Sequence, residues 1–280
     1  MASPRVHNIA RMLRYVAGGI SPSVLQLFVR KGPKTAAAHL VRTGRMRDRD
    51  SGRGLPTIRV ADILKKLEGD KPFVFHVTAS HMASISSDST NTLPNLLVGL
   101  VAAAVRPMYA LEIGTGYGRS TCQIAAQLRE KGSVVTIAPP IEWSDPQYRP
   151  AAQELTELHT FRDAGARFAW EGTVLEGRIE LIRADSRTMD YAPLGRKFDF
   201  VFIDGSHTED AVRKDTECIV PYLSEGAVVL WHDYGSSVLS HGVDKYLHQL
   251  SKLSKWPIYA IEHTTVAIQI GSGCVPTAGH

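Results

Sequence analysis

A doubly wound α/β fold with a mostly parallel sheet of seven strands is predicted for most of this 280-residue chain. Three observations predict it. Short apolar segments alternate with helical segments from Met108 to Ile270. The segment Phe198–Ile203 lacks the alternation of a half-exposed strand, as expected when both faces are buried. A glycine-rich turn follows the first predicted strand, where sheets of this kind bind ligands.

The predicted elements follow one another with short connections. Strands are expected at Tyr109–Ile113, Ser133–Ile137, Ile179–Arg183, Phe198–Ile203, Ala227–Trp231, Ile258–Ile261 and Thr265–Ile270. Helices are expected at Thr57–Leu67, Leu96–Val105, Ser120–Glu130, Ala151–Trp170, Glu209–Leu223 and Val243–Leu253. Because only a short break separates the last two strands, they are expected to form an antiparallel hairpin at the edge of the sheet.

The first 90 residues are predicted to be a basic, partly helical extension, followed by a second domain at residues 91–280. Residues 1–60 hold 12 Lys or Arg against two acids, a local charge of +10, whereas the remaining residues sum to −6. Such an arm could contact an anionic membrane surface, a nucleic acid or an acidic substrate. We favour the plainer interpretation, which is a poorly ordered arm or one that packs in a homo-oligomer.

Composition excludes several classes of protein. The chain is 44% hydrophobic and 21% charged, which is ordinary for a globular protein. The longest apolar run, Leu96–Val105, is far shorter than the ~20 residues of a transmembrane helix. Cys122, Cys218 and Cys274 form no C-x-x-C pair, so a cytoplasmic protein is expected. No RNA-binding motif is present, and specific nucleic-acid binding is not expected.

The glycine-rich turn has the pattern E-x-G-x-G-x-G between Glu112 and Gly118. Its glycines allow a sharp turn and a close approach to a ligand. The dinucleotide fingerprint would need a glycine where Arg119 stands, and no Gly-Lys-Ser/Thr follows as in a P-loop. Neither of those two nucleotide-binding classes fits.

Further motifs follow the glycine-rich turn in a fixed order along the chain. With the turn itself, the segments are Glu112–Gly118, Ile182–Ser186, Phe198–His207, Pro221–Tyr234 and Gly242–Tyr246. Together they resemble the motifs of class I S-adenosylmethionine (SAM)-dependent methyltransferases, and the similarity extends over about Thr92 to Gly271. The resemblance is to a bacterial-type subfamily of small-molecule and sugar O-methyltransferases related to the catechol type. It implies a Rossmann-like methyltransferase sheet and methyl transfer to a hydroxyl group.

The resemblance also implies which residues bind SAM. Glu112 would accept hydrogen bonds from the cationic amino acid part, or would instead cap the loop backbone. Asp185 and Ser186 would contact the adenine, or would instead cap the next turn. The implied SAM-binding set is Glu112, Gly114, Thr115, Gly116, Gly118, Ser120, Asp185, Ser186 and Asp204.

One departure from the family pattern concerns the ribose. The family places an acid at the end of the second strand, and Ala138 stands there. Glu142 or Asp145 could reach back from the following loop, or water could substitute. Trp143 could stack on the adenine or pack in the core.

Three groups that can bind a metal follow two predicted strands. Asp204 follows one strand, and His232 and Asp233 follow the next, so adjacent strand ends should bring them together. In the related enzymes such acids hold Mg²⁺, which binds the substrate oxygens and lowers the pKa of the hydroxyl group. Because imidazole is a softer ligand, Mn²⁺ is an alternative. The acids could instead be metal-free hydrogen-bonding groups.

His207 is the predicted general base, and Asp204 is the other predicted catalytic residue. His207 lies three positions after Asp204, where catechol-type relatives carry a lysine. A neutral imidazole can accept a proton near neutral pH. His207 could instead contact the substrate, cap the helix that begins near Thr208, or lie behind the residues that contact the substrate. His76 and His81 could form part of a lid, although they are more simply surface residues.

The sequence thus predicts a SAM-dependent O-methyltransferase that acts on a small-molecule hydroxyl, in a sugar or a natural product, with a divalent metal. A SAM-fold enzyme of another group transfer or hydroxylation is one alternative, which Ala138 keeps open. A non-catalytic binding module is the other.

Overall fold

The computed structural model of the protein describes residues 54–68, 74–77, 92–140, 168–235 and 241–272. These residues belong to one compact unit that begins at Arg53. Several expectations concern residues outside the described ranges. These expectations concern residues 1–53 of the basic arm and residues 151–167 of the long predicted helix. They also concern His81, Glu142, Trp143, Asp145 and Cys274.

The described residues form one sheet of eight strands, which confirms the predicted doubly wound, mostly parallel architecture. The spatial order is β1-β7-β8-β6-β5-β2-β3-β4, and β8 is antiparallel to both of its neighbours. All other pairings are parallel. The strands are β1 (Thr57–Ile58), β2 (Tyr109–Ile113), β3 (Ser133–Ala138), β4 (Ile179–Arg183), β5 (Phe198–Ile203), β6 (Leu223–Trp231), β7 (Ile258–Ile261) and β8 (Ala267–Ser272).

Helices cover both faces of this sheet. The described helices are α1 (Val60–Glu68), α2 (Thr92–Val105), α3 (Arg119–Ala125), α4 (Glu209–Ile219) and α5 (His241–Leu253). Apolar residues of α1, α2 and α3 pack with one set of strand side chains. Those of α4 and α5 pack with the opposite set. Both faces of the central strands are therefore buried, which explains why β5 lacks alternation.

None of the described helices is long and apolar enough to cross a membrane.

The eighth strand is the main difference from the predicted sheet. Thr57 and Ile58, expected in a helix, instead pair with Ala260 and Ile261 of β7. Backbone hydrogen bonds from Ala260 to Pro56 and from Glu262 to Ile58 hold this edge strand. The amphipathic helix begins only at Val60. Pairing with the sheet thus overrides the local helical pattern.

Two helices also end earlier than predicted. Helix α3 stops at Ala125 rather than Glu130, and the Arg129 N–H donates to the carbonyl of Pro107 instead of continuing the helix. Helix α4 stops at Ile219, before a 3-10 turn with Pro221 near its start.

Candidate active site

The ends of three neighbouring strands bring the candidate residues together. Ile113 of β2 pairs with Ile203 of β5, and Ile203 pairs with Trp231 of β6. The residue after each strand extends this ladder: Asp204 N donates to the Ile113 carbonyl at 2.8 Å, and His232 N to the Ile203 carbonyl at 3.0 Å. The glycine loop, Asp204 and the His232–Asp233 pair therefore share one edge of the sheet.

The first two loop glycines have different surroundings. Gly114 has φ +97°, and a Cβ there would collide with the backbone carbonyl of Asp204. Gly116 has φ +48° and is exposed, and a Cβ there would meet nothing within 4 Å. Gly114 thus allows two strand ends to approach closely, whereas Gly116 borders open space that a ligand could use.

Trp170 occupies the space beside the third glycine, Gly118. A Cβ on Gly118 would collide with the Trp170 ring, which is only 5% exposed. Phe168 stacks on that ring with centroids 4.4 Å apart, and Ala169 N donates to the Tyr117 carbonyl at 3.0 Å. Sequence reasoning missed this contact because Trp170 was expected at the end of a helix, and described residues 168–170 are not helical.

Glu112 lies behind the loop and is completely buried. Its Oε2 accepts hydrogen bonds from the hydroxyls of Thr121 and Thr136, the latter at 2.6 Å, and Thr136 also bonds Thr115 at 2.7 Å. Burial raises the pKa of Glu112 to about 7, although hydrogen bonds from Ser120, Thr121 and Thr136 favour the charged form. Side-chain hydroxyls, rather than the loop backbone, hold this carboxyl group. Its contact with SAM stays a prediction.

Asp185 and Ser186, expected near the adenine, have protein partners. Asp185 Oδ1 accepts from the backbone N–H and the guanidinium of Arg187, at 3.0 and 2.8 Å. Ser186 donates to Asp215 Oδ1 at 2.6 Å. Asp215 is buried on α4, and burial raises its pKa to about 6. These contacts fit the alternative role in the turn, and adenine contact stays a prediction.

The strand-end cluster consists of Asp204, His232 and Asp233. Their potential ligand atoms all lie within 4.8 Å of one another. His232 Nδ1 is 2.9 Å from Asp204 Oδ1 and 3.1 Å from Asp233 Oδ2. Asp233 has φ +58°, a left-handed conformation that Asp tolerates better than most residues. The predicted convergence of these three side chains agrees with the structure.

The acids of the cluster favour a proton on His232. Burial opposes a proton on His232, but Asp204 and Asp233 outweigh it and raise the pKa of the imidazole well above its usual value. Burial likewise opposes the charge on Asp233, but His207 and His232 hold its pKa well below the usual range. Two carboxylates thus surround one imidazolium. A divalent cation could replace the proton on His232 and bind the same two carboxylates. The three side chains therefore fit a metal site.

His207 contacts this cluster through Asp233. Its Nε2 is 2.6 Å from Asp233 Oδ2, and its side chain is 20% exposed. Thr208, not His207, caps α4 by accepting a hydrogen bond from Ala211 N at 3.3 Å. The capping alternative for His207 is therefore wrong. Residues lining a small cleft include Asp204, His207, Trp231, His232 and Val243.

Two further positions that the sequence analysis singled out are His76 and Ala138. The His76 backbone bonds the Gln127 side chain through both its N–H and its carbonyl, at 3.1 and 2.6 Å, and His76 is not part of the cluster. Ala138, where the family carries an acid, is 6% exposed and accepts a backbone hydrogen bond from Ala184.

Residues 111–234 match the family model described as a methyltransferase domain. This segment runs from β2 through the glycine loop to the residue after Asp233, so it contains the whole candidate site. Four of the motif segments found in the sequence lie within this range, and Gly242–Tyr246 lies beyond it. This match supports the class of enzyme that the sequence motifs predict, a SAM-dependent methyltransferase.

Solved structures of methyltransferases resemble the fold at low identity. The O-methyltransferase TomG of tomaymycin synthesis from Streptomyces achromogenes, solved with SAM, is 20% identical over 76% of this chain and 90% of its own, with a TM-score of 0.44. An O-methyltransferase from Bacillus cereus, solved with S-adenosylhomocysteine (SAH), is 15% identical over 76% and 90%, with a TM-score of 0.43. The SAH-bound methyltransferase PaMTH1 from Podospora anserina is 14% identical over 76% and 93%, with a TM-score of 0.44. At these values the similarity indicates neither activity nor substrate. No curated protein sequence matches the chain significantly.

Proposed function

We propose that this methyltransferase transfers the methyl group of SAM to a hydroxyl oxygen of a small molecule, in a sugar or a natural product, with the help of a divalent metal. The observation that carries the proposal is the group of Asp204, His232, Asp233 and His207 at one sheet edge, beside the glycine loop. Oxygen methylation needs a base and a means of stabilising the alkoxide, and this group supplies residues suited to both tasks.

Asp204, His232 and Asp233 would hold the metal. Mg²⁺ or Mn²⁺ at such ligands would bind the acceptor oxygen and lower the pKa of its hydroxyl. His232 Nε2 is buried and makes no hydrogen bond within the described part of the chain, whereas Nδ1 faces both acids. Without the ion, protonated His232 would offset part of the negative charge of the two acids. Proton and metal are therefore competing occupants of one site.

His207 would accept the proton of the acceptor hydroxyl. When its Nε2–H donates to Asp233, the basic lone pair of the neutral ring is on Nδ1. The acceptor oxygen then forms a bond to the methyl carbon as the bond from carbon to sulfur breaks. The products are a methyl ether, neutral SAH and a protonated His207. Asp233 would stabilise the imidazolium that forms.

The glycine loop would hold SAM next to this group. Gly116 supports the assignment because open space adjoins it, whereas Gly114 and Gly118 each lie against other parts of the protein. Contacts from Thr115, Ser120, Glu112, Asp185 and Ser186 to SAM stay predictions. Three other expectations also stay predictions: the domain boundary between residues 90 and 91, a cytoplasmic location and self-association of the chain.

A methyl-transfer screen tests the proposal. Methyl-labelled SAM is incubated with panels of catechols, sugars and hydroxylated natural products, with added Mg²⁺ or Mn²⁺ and separately with a chelator. The proposal predicts label in a methyl ether, lost in the chelator and restored by the metal. Label on nitrogen or carbon would contradict hydroxyl transfer. Equal transfer with the chelator, and no metal by elemental analysis, would reject the metal.

A further inference from the structure

Helix α5 is attached to the first residue of α4 by two side chains. Glu209 Oε2 is 2.5 Å from Lys245 Nζ, and Glu209 Oε1 accepts a hydrogen bond from Gln249 Nε2 at 2.9 Å. Lys245 and Gln249 are one helical turn apart on α5, so one carboxylate spans that turn. The ion pair and the hydrogen bonds lower the pKa of Glu209. Glu209 is 25% exposed, which makes it better shielded than an ordinary surface acid.

The start of α5 also lies directly on the segment that carries His207. A Cβ on Gly242 would collide with the His207 carbonyl and with the backbone N of Glu209. Because any side chain at position 242 would separate these segments, the close approach depends on glycine. Helix α5 is thus in contact with the His207 backbone and is anchored two residues further along, at Glu209.

A third contact joins α5 to the segment that carries Asp233. Asp244 Oδ1 accepts a hydrogen bond from Gly235 N at 2.6 Å. Gly235 lies two residues after Asp233, and Gly242 lies two residues before Asp244. One turn of α5 therefore touches both segments whose side chains meet in the 2.6 Å contact between His207 and Asp233.

We propose that Glu209 is a positioning residue for methyl transfer, which holds α5 against the two segments that bear His207 and Asp233 and so fixes the geometry of that pair. The inference rests on the proposed function of His207 as the base. Glu209 itself would contact neither SAM nor the acceptor. It would set the direction of the His207 ring through α5.

Asp210 provides a matched control. Glu209 and Asp210 are both acids in the first turn of α4, so both interact with the same helix dipole. Asp210 pairs with Arg213 and Lys214 of its own helix, at 3.1 Å in each case, and makes none of the contacts to α5 described here. Glu209→Ala removes the anchor, whereas Asp210→Ala removes a surface acid of the same helical turn.

The test compares both variants with the wild-type protein in two measurements. The first is kcat and KM for the acceptor, together with the Kd of SAH. We expect Glu209→Ala to lower kcat about tenfold, as for a displaced catalytic group, with the SAH Kd unchanged and with partial rescue in Glu209→Gln, which can still bond Gln249. The second is the NMR signal of the His207 ring nitrogens, assigned by its loss in His207→Ala. It should shift in Glu209→Ala and not in Asp210→Ala.

Equal effects of Glu209→Ala and Asp210→Ala on kcat, or an unchanged His207 signal in Glu209→Ala, would overturn the positioning role. A wild type that methylates no acceptor would count against the proposed function instead. The NMR comparison still decides the positioning role in that case, because it needs no turnover.

Discussion

His207 Nε2 and His232 Nδ1 both lie within hydrogen-bonding distance of one carboxylate oxygen, Asp233 Oδ2, at 2.6 and 3.1 Å. One acid therefore connects the predicted base to the predicted metal ligands. A metal ion bound to Asp233 would neutralise part of the carboxylate charge that faces His207, and removal of the ion would restore that charge. If the cluster binds a metal, its occupancy should therefore change the basicity of His207.

His207→Ala should lower kcat by about 10²-fold or more, because the acceptor proton loses its base. A rise in pH should restore part of the rate, since hydroxide or a prior ionisation of the acceptor can replace the imidazole. The matched control is His263→Asn, because His263 is an exposed turn residue with φ +62° and Asn accepts that conformation. Steady-state rates across the pH range check this. A loss of rate that is the same at every pH would contradict the role of base.

Asp204→Asn and Asp233→Asn should each reduce turnover far more than they weaken SAH binding. Either change removes one negative charge and one good ligand from the cluster, so metal affinity should also fall. Asn tolerates the positive φ of Asp233, so the fold should survive the substitution. Metal titration by calorimetry and kcat measure the two effects. Asp210→Asn is a control that leaves the cluster intact.

The metal interpretation and the metal-free one predict the same loss of activity in those two variants but opposite results for the wild type in a chelator. If the acids only orient the acceptor, both variants will lose activity while the wild type remains fully active in a chelator. If they bind a metal, the wild type will lose activity in the chelator too.

Replacing glycines should separate folding from SAM binding. Gly114→Ala should destabilise the protein, because the new methyl group meets the Asp204 carbonyl in addition to the cost of a positive φ, roughly 1–2 kcal/mol. Gly116→Ala should be destabilised only by its positive φ, because a Cβ there meets no atom within 4 Å, and it should bind SAH more weakly. Gly226→Ala is its control, since Gly226 has φ +77° and open space but lies in β6, away from the loop. Denaturant unfolding and SAH calorimetry measure both properties. Tight SAH binding by Gly116→Ala would contradict the loop assignment.

Glu112→Gln should become more stable relative to the wild type as pH rises. The folded protein holds a proton on Glu112 up to a pKa of about 7, whereas the unfolded chain loses it near 4.5. Between these values the native state binds more protons, so its free energy of unfolding falls with rising pH, and above about 7 the loss is constant. Gln is neutral throughout. Groups such as Asp215 titrate in both proteins and cancel in the difference. A pH-independent difference would show that Glu112 is already ionised below that window.

The sheet could be predicted from the sequence because its strands are short apolar runs between helical segments. Tyr109–Ile113, Ile179–Arg183 and Phe198–Ile203 match the observed strands at both ends. The edge strand Thr57–Ile58 could not be predicted in this way, since its two residues gain their structure only from pairing with β7.

Part of the candidate site could be predicted from the order of the strands. Adjacent parallel strands end at one edge, and this brings Asp204 next to His232 and Asp233. The sequence contains no comparable signal for contacts between distant segments. The close approach of the Trp170 ring to Gly118 depends on a loop path, and the attachment of Glu209 to Lys245 depends on helix packing. Spacing along the chain specifies neither.

The most direct test of the central claim, that the glycine loop and the strand-end cluster form one SAM-dependent site, is a calorimetric titration of the full-length protein with SAH. It needs no knowledge of the acceptor. We predict one binding site per chain, with affinity reduced in Gly116→Ala, unchanged in Gly226→Ala and nearly unchanged in Asp204→Asn. Absence of SAH binding by the folded wild type, with and without Mg²⁺, would contradict the claim.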